Sequence, residues 1–400
     1  MKRVLLAGVS VSVLAMGLAA PARADLLDWE VSPFTADVGD AVLTVGGSFD
    51  GAAYVNNQPD FPGKDDSGVT GSAGAYANLM RTYDTGLVLG LKTSYELFHD
   101  KLSGDNYGSD FFQKIYGVVQ TGLGRVEIGM TDGAGYTLAV PGPVVDGVTA
   151  LDNPNATFFV DPVTGGAFIN QFVINSAVEP TFNYAKIAYY TPRLFGVQLG
   201  VSFTPSEGKD VIPFISAGPD VANKQRNIWE IAASYQGSSG KLSYNVTGAV
   251  ALGHAKNKDV DHHGLTDWAI GTQFDYTLND DMTLSWGGEY RRSNQYVWDI
   301  NDAVAHGTTQ ALHLGTTLSF GDWIVGGEFA TGSADNSAVL ALPAMGIHGY
   351  EASVGYTLNT NMALTLGWQQ WNYATAPGVF YNGLPHIKMD AGYLHLNFHI

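Results

Sequence analysis

The side chains in this sequence that could do chemistry are charged groups at alternate positions, rather than nucleophiles or metal ligands. Such charges act on ions through the local electrostatic potential and form no covalent bond. Reading the alternation as two faces puts five basic and seven acidic residues on one polar face. The basic residues are Lys92, Lys114, Arg125, Lys186 and Arg291, and the acidic residues are Glu96, Glu127, Glu230, Asp275, Glu289, Glu328 and Glu351.

Other kinds of chemistry leave weaker signals. The sequence has no cysteine, and no Ser/His or Asp/His set stands out as a catalytic constellation. His254, His262 and His263 lie close together, but without cysteine or suitably spaced carboxylates we favour an exposed polar loop over a metal site. Gly133-Ala-Gly135 lacks the third glycine and the strand–helix context of a nucleotide motif. We therefore predict no enzyme, no cofactor and no metal site.

The segments that carry these charges are alternating stretches of about ten residues, which predict β-strands. At the end of the sequence, Leu394, Leu396, Phe398 and Ile400 alternate with polar or amphipathic residues. This pattern is typical of a strand with one apolar face, and such an edge invites aggregation in a soluble sheet. A closed barrel in a membrane needs a strand of this kind as its last one.

We count sixteen such segments, joined alternately by short turns and longer polar loops. This asymmetry is that of an outer-membrane barrel, in which an even number of strands puts both termini on one side. Eighteen strands are the alternative, if one hairpin is merged or missed in this count. The segments begin near Ala41, Gly71, Leu87, Ser109, Arg125, Tyr184, Val197, Ile228, Leu242, Asp267, Met282, Thr309, Trp323, His348, Met362 and Ile387.

Residues 1–24 predict a secretory signal peptide, because a positive start and an apolar run precede the small-x-small site Ala22-Arg23-Ala24. A retained membrane helix is the alternative. Residues 25–400 then form the barrel domain. The formal charge of −18 becomes −21 when the three basic residues of the leader are removed, since the leader contains no acid. This excess of negative charge argues against nucleic acid as a partner.

One connection, residues 131–183, breaks the alternation of strands and turns. Its 53 residues contain no lysine, arginine or histidine. They are rich in valine, phenylalanine and proline, which argues against disorder. The apolar content indicates packing against another surface, and the barrel interior is the surface at hand. The acids of this stretch that we take as site candidates are Asp132, Asp146, Asp152 and Asp161.

Two stretches resemble the Gram-negative porin family, particularly the porins of alphaproteobacteria. Residues 190–205, which read Tyr-Thr-Pro-Arg-Leu-Phe-Gly-Val-Gln-Leu-Gly-Val-Ser-Phe-Thr-Pro, resemble a hairpin of that family. Gly124–Gly133 resembles the strand that leads into its third loop. The terminal strand is similar to the family's outer-membrane assembly signal, although the family usually ends on Phe and this sequence ends on Ile400.

The resemblance implies a homotrimer of transmembrane antiparallel β-barrels in the outer membrane of a Gram-negative bacterium, each of about sixteen strands. A long third loop would fold into the lumen and narrow a water-filled channel. Ions and small hydrophilic solutes would diffuse through it passively, and the excess of acids favours cations. Outer-membrane lipid and lipopolysaccharide would surround the barrel, and the barrel-assembly machinery would recognise the C-terminal strand.

The resemblance also implies an arrangement of charges, with acids on the third loop facing basic residues on the wall across the narrow point. A substrate-selective channel, for example for sugars, is the alternative function, and an outer-membrane barrel enzyme is less favoured. The expected pore-constriction residues are Asp132, Asp146, Asp152 and Asp161 facing Lys92, Lys114 and Arg125.

Overall fold

The computed structural model describes residues 31–58, 66–99, 112–153, 158–159, 174–206, 225–255, 264–294, 308–334, 345–375 and 386–400. Most of them lie in one antiparallel sheet, and α1 (Ala134–Thr137) is a single helical turn. No helix of the described part is long and apolar enough to cross a membrane. The strands are β1 Phe34–Val38, β2 Ala41–Asn57, β3 Ser67–Thr82, β4 Val88–His99, β5 Phe112–Thr121, β6 Gly124–Met130, β7 Ala185–Tyr190, β8 Val197–Ser206, β9 Gln225–Ser239, β10 Leu242–Ala255, β11 Thr266–Asn279, β12 Met282–Ser293, β13 Thr309–Phe320, β14 Trp323–Ala334, β15 Met345–Asn359, β16 Met362–Thr375 and β17 His386–His399.

Strands β2 to β17 close into a sixteen-stranded barrel, which confirms the predicted fold class. Each strand pairs antiparallel with its neighbours in the chain, and β17 pairs with β2 to complete the ring. Beyond β17, Ile400 exchanges two backbone hydrogen bonds with Gly47, at 2.8 and 3.1 Å. We call this junction of the first and last strands the seam. Closure leaves no free edge between these strands, which a lipid environment requires.

The sixteen predicted strand starts lie within four residues of the observed ones, but the short strand β1 is not among the predictions. It pairs with the first residues of β2, Ala41–Val45, beyond the end of β17. Asn361, in the turn between β15 and β16, holds this region together. Its amide nitrogen donates to the carbonyls of Val31 and His399, at 2.9 and 2.7 Å. Its five residues are shorter than the segments of about ten residues that sequence analysis counts as membrane-spanning strands.

The alternation along each strand sets the two faces of the wall. On β17, Leu394 is 45% exposed on the outside, whereas its neighbour His395 is completely buried on the inside. Aromatic side chains stand exposed on the outside near the short turns, where the membrane boundary is expected. They include Tyr189, Tyr235, Tyr276 and Trp323.

The connections alternate in length, as the sequence predicts. At one end, two-residue turns join β9 to β10 and β13 to β14. Gly240 and Gly321 in these turns have φ of +60° and +55°, a backbone conformation that tight hairpins need and that glycine adopts without strain. At the other end lie the longer connections, of which residues 131–184, between β6 and β7, are the longest.

Candidate functional site

The connection between β6 and β7 lies against the inner face of the barrel wall. Its described parts contact side chains of the polar face on strands from β8 round to β17 and then β2. We call these strands the loop-covered wall, and we call the connection the inner loop.

Two buried charged residues hold the ends of the inner loop together. Lys186 Nζ donates hydrogen bonds to the carbonyl oxygens of Thr131 and Thr181, at 2.5 and 3.2 Å. Glu230 accepts the backbone N–H of Gly135 at 3.0 Å and the hydroxyl of Thr181. Burying either charge without such partners would cost several kcal/mol. The two residues, which sequence analysis assigns to the polar face, therefore tie both ends of the inner loop to β7 and β9.

The inner loop comes close to the wall where the wall presents glycines. A Cβ built on Gly315 would collide with the carbonyl oxygen of Pro143. On β14 and β15, Cβ atoms added to Gly326 and Gly355 would lie 2.8 and 3.1 Å from the γ carbons of Val145. Glycine permits a close approach of two backbones, which a larger residue would prevent. The inner loop therefore lies close to the backbone of three neighbouring strands. We call Gly315, Gly326 and Gly355 the glycine bed of the inner loop.

Asp146 of the inner loop binds a buried histidine of the last strand. Its Oδ2 lies 2.5 Å from His395 Nδ1, and the Nε2 of the same ring lies 3.4 Å from Asp50 on β2. Burial raises the pKa of Asp146. The charge and hydrogen bond of His395 and the N–H of Val148 lower it by more, so the pKa of Asp146 lies below its ordinary value. Asp146 is therefore an ionised anchor beside the seam.

Asp152 has a similar position beside a second buried histidine. Its Oδ2 lies 3.6 Å from Nδ1 of His313 on β13, and the Nε2 of that ring lies 3.1 Å from Glu328 on β14. Glu328 also accepts the backbone N–H of Leu151 at 3.0 Å. Twice, then, a loop acid meets a wall histidine that faces a wall acid on its other side.

The far side of the inner loop packs through apolar contacts. Phe158 is completely buried. Its ring stacks on Tyr393 with centroids 4.8 Å apart and contacts Tyr54 at 5.5 Å. The Phe158 carbonyl accepts a hydrogen bond of 2.5 Å from Asn56 Nδ2 on β2. The apolar residues of this stretch thus pack against the barrel interior.

The predicted basic residues Lys92, Lys114 and Arg125 lie on β4, β5 and β6, which we call the basic wall. Lys114 Nζ lies 2.9 Å from both carboxylate oxygens of Asp132, so the structure brings this predicted pair together. Arg125 forms an ion pair of 3.0 Å with Glu127 of its own strand. Lys92 interacts electrostatically with these same two residues. The basic wall therefore sets three basic side chains against two acidic ones, Asp132 and Glu127.

The other predicted loop acids are placed differently. Asp146 and Asp152 meet histidines of the loop-covered wall, whereas sequence analysis expects them opposite the basic wall. Asp161 lies outside the described residues, as do His262 and His263. The wall histidines are absent from the predicted site. Their place on the polar face of β13 and β17 is the signal that could have revealed them.

A family model for Gram-negative porins matches residues 10–362. The chain belongs to the Gram-negative porin family. Family and fold together show a channel-type barrel of the outer membrane of a Gram-negative bacterium. They point to a channel rather than an enzyme.

Solved porin structures share the fold of this porin at low sequence identity, which shows the fold alone. An anion-selective porin from Comamonas acidovorans is 14% identical with a TM-score of 0.56, over 90% of this chain and 100% of that chain. The outer membrane channel DcaP of Acinetobacter baumannii is 12% identical with a TM-score of 0.58, over 92% of this chain and 100% of that chain.

Curated relatives occur in Rickettsia. An uncharacterized protein of Rickettsia felis is 21% identical over 267 residues, 58% of this chain and 54% of the relative. An uncharacterized protein of Rickettsia prowazekii is 23% identical over 252 residues, 53% of this chain and 52% of the relative. The chain thus spans about half the length of the curated relatives it matches.

Proposed function

We propose that this porin forms a homotrimer of water-filled pores through which ions and small hydrophilic solutes diffuse passively. In this proposal, residues 1–24 are removed on export, residues 25–400 form the barrel, and residues 131–183 form the constriction. The observation that carries the proposal is the position of the inner loop, which is anchored along the inner wall by Glu230, Glu328 and His395. In this proposal, the loop narrows the lumen chiefly from the loop-covered wall, and its described residues meet the basic wall at Asp132.

The basic wall supplies the charges that a permeating ion meets. The side chains of Lys114 and Arg125 are 14% and 16% exposed, so water and ions reach them. Asp132 and Glu127 accompany them at ion-pair distance. Charges of both signs at a narrow point give a local field that orients solutes and favours polar ones.

We propose a modest preference for cations. The 38 acidic residues of the sequence outnumber the 20 basic ones, while the basic wall is nearly balanced. Most of the preference then comes from charges around the mouths of the pore. Exposed charges act over about 10 Å at 0.1 M salt. Cation preference should therefore be larger in dilute salt and should fade as the salt concentration rises.

The test is the current through the refolded mature protein in a planar lipid bilayer under a salt gradient. We expect stepwise insertions, often in groups of three, and a reversal potential of the sign that cation preference gives. A folded, heat-resistant barrel that passes no current would contradict the open pore. Flux of sugars into liposomes completes the test, because saturation with concentration would indicate a substrate-selective channel and linear flux a general-diffusion one.

A further inference from the structure

A row of buried ionisable side chains crosses four neighbouring strands beneath the inner loop. Glu289, His313, Glu328 and Glu351 lie on β12, β13, β14 and β15, on the polar face of each strand. In the sheet register, Glu289 stands directly opposite His313, and Glu328 directly opposite Glu351. Asp152 of the inner loop approaches the same histidine from above the wall. Asp152, Glu289 and Glu328 thus lie near one imidazole, and Glu351 lies beside Glu328.

The neighbouring protein groups satisfy this cluster only in part. Glu351 accepts hydrogen bonds from the Tyr393 hydroxyl and Gln369 Nε2, at 2.6 and 2.8 Å. The guanidinium of Arg291, on the same face of β12, directs Nε and Nη2 to Asp267. Three buried atoms of the row have no hydrogen-bond partner among the described residues. They are His313 Nδ1, Glu328 Oε1 and Glu289 Oε2.

Two of the residues with unpartnered atoms, His313 and Glu328, form with Asp152 a group that could hold a metal ion. One ligand atom from each of Asp152, His313 and Glu328 lies within 4.8 Å of the other two. The 3.6 Å between His313 Nδ1 and Asp152 Oδ2 suits two ligands of one ion, because zinc–nitrogen and zinc–oxygen bonds are about 2.0–2.2 Å long. Buried carboxylates that face one another are costly unless a positive charge lies between them.

We propose that Asp152, His313 and Glu328 bind a divalent transition-metal ion, with Zn²⁺ the best fit, which joins the inner loop to the wall. An imidazole nitrogen with carboxylate oxygens suits Zn²⁺, whereas Ca²⁺ and Mg²⁺ take oxygen ligands. Each ring nitrogen of His313 faces a carboxylate, with Nδ1 3.6 Å from Asp152 Oδ2 and Nε2 3.1 Å from Glu328 Oε2, so the neutral ring can offer one nitrogen to the metal. Glu289 lies opposite the ring and can balance the charge of the ion.

The second buried histidine provides a comparison within the same molecule. His395 also stands between a loop acid, Asp146, and a wall acid, Asp50. There the carboxylate of Asp146 already contacts Nδ1 at 2.5 Å, which leaves no room for an ion between them. Among the described residues, the grouping of three ligand atoms occurs at Asp152 and not at Asp146.

The experiment is metal binding by the folded full-length barrel in detergent, after treatment with a chelator. Co²⁺ serves as the probe, because its visible absorption reports ligands around the ion, and Zn²⁺ then displaces it. We expect about one Co²⁺ per chain and displacement by Zn²⁺. His313→Gln and Asp152→Asn should each weaken binding by roughly tenfold or more, whereas Asp84→Asn, in an exposed turn away from the inner loop, should leave it unchanged.

Two results would overturn the proposal. One is a wild-type barrel that binds no stoichiometric Co²⁺ or Zn²⁺, and the other is a His313→Gln barrel that binds like wild type. Glu328→Gln, which keeps the shape of the side chain, serves if the histidine variant does not fold, and resistance of the barrel to heat in detergent checks folding. Because no current is measured, the result is independent of whether the pore conducts.

Discussion

The two sides of the lumen use charge in different ways. On the basic wall, Lys114 and Arg125 pair with neighbouring acids and keep part of their side chains in contact with water. On the loop-covered wall, Glu230 and Glu328 are buried and accept backbone N–H groups of the inner loop. Residues on the same polar face thus have two roles, as charges in contact with water and as buried anchors of the inner loop. A charge on the inner face of a barrel can act on permeating ions only where its side chain keeps contact with water.

The difference comes from the side chains that each wall offers. Gly315, Gly326 and Gly355 let the inner loop approach the backbone of β13 to β15. The basic wall instead carries the long side chains of Lys92 and Arg125. The described part of the inner loop meets the basic wall at Asp132, whereas it lies close to the backbone at the glycines of the loop-covered wall.

Removing the inner loop should have the largest effect on conductance, because it exposes the loop-covered wall to the lumen. Deleting residues 140–175 takes away the segments that lie on the glycines and on both wall histidines. We expect single-channel conductance to rise by roughly twofold or more, because the narrow point of the pore widens. Bilayer recording measures the change, with heat resistance in detergent as the check of folding. A folded variant with unchanged conductance would place the inner loop outside the pathway.

Filling the glycine bed should displace the inner loop without removing it. Gly315→Leu puts a side chain where the carbonyl of Pro143 lies, and such overpacking costs about 1–3 kcal/mol. We expect higher and noisier conductance than in the wild type, but less than in the deletion variant.

The matched control for this substitution is Gly248→Leu. The position of a Cβ at Gly248 has one backbone atom, the oxygen of Ala269, within 4 Å, at 3.9 Å. The Gly248→Leu substitution should therefore leave the single-channel current unchanged. Equal currents from the two leucine variants would show that the inner loop does not depend on its glycine bed.

Weakening a single anchor should have a smaller effect that depends on pH. Since the pKa of Asp146 is lowered in the folded protein, its stabilising contribution is complete above the ordinary carboxyl value of about 3.9. That contribution is lost as pH falls through the lowered pKa. We expect conductance to stay constant from neutral pH to about pH 4 and to change below it.

The Asp146→Asn variant should show the low-pH behaviour already at neutral pH. Loss of the charged bond to buried His395 should cost about 1–3 kcal/mol. Asp84→Asn, in an exposed turn, is the control and should behave as the wild type does. If Asp146→Asn matches that control across the whole pH range, Asp146 is not an anchor of the loop.

Changes on the basic wall should alter selectivity and leave pore size nearly unchanged. Lys92→Met combined with Arg125→Met removes two positive charges beside Glu127. We expect the cation-to-anion permeability ratio to rise by roughly twofold, most clearly in dilute salt. The reversal potential under a salt gradient measures it, and conductance at high salt is the internal control. An unchanged reversal potential would put both residues off the ion pathway.

The sequence predicts the wall better than it predicts the site. Alternation and turn residues identify the barrel strands because each strand reports its own two faces. The partners of Asp146 and Asp152 depend on how far the inner loop travels round the wall, which no local pattern encodes. Because sequence analysis counts only lysine and arginine as cations, the predicted site does not include His313 and His395. The pairing of Lys114 with Asp132 can be predicted from the sequence, because Asp132 lies just after β6, the strand that pairs with β5.

The seam has a consequence for the order in which the barrel forms. It pairs Asn57 with Asp390 and Ser48 with His399, residues from nearly opposite ends of the chain. Contacts between such distant residues are slow to form, because the entropy of closing a long loop is lost before any pairing repays it. Closure must wait until the last strand has been synthesised. A sheet that lacks its last strand has two open edges, and either edge can pair with another chain until the seam forms.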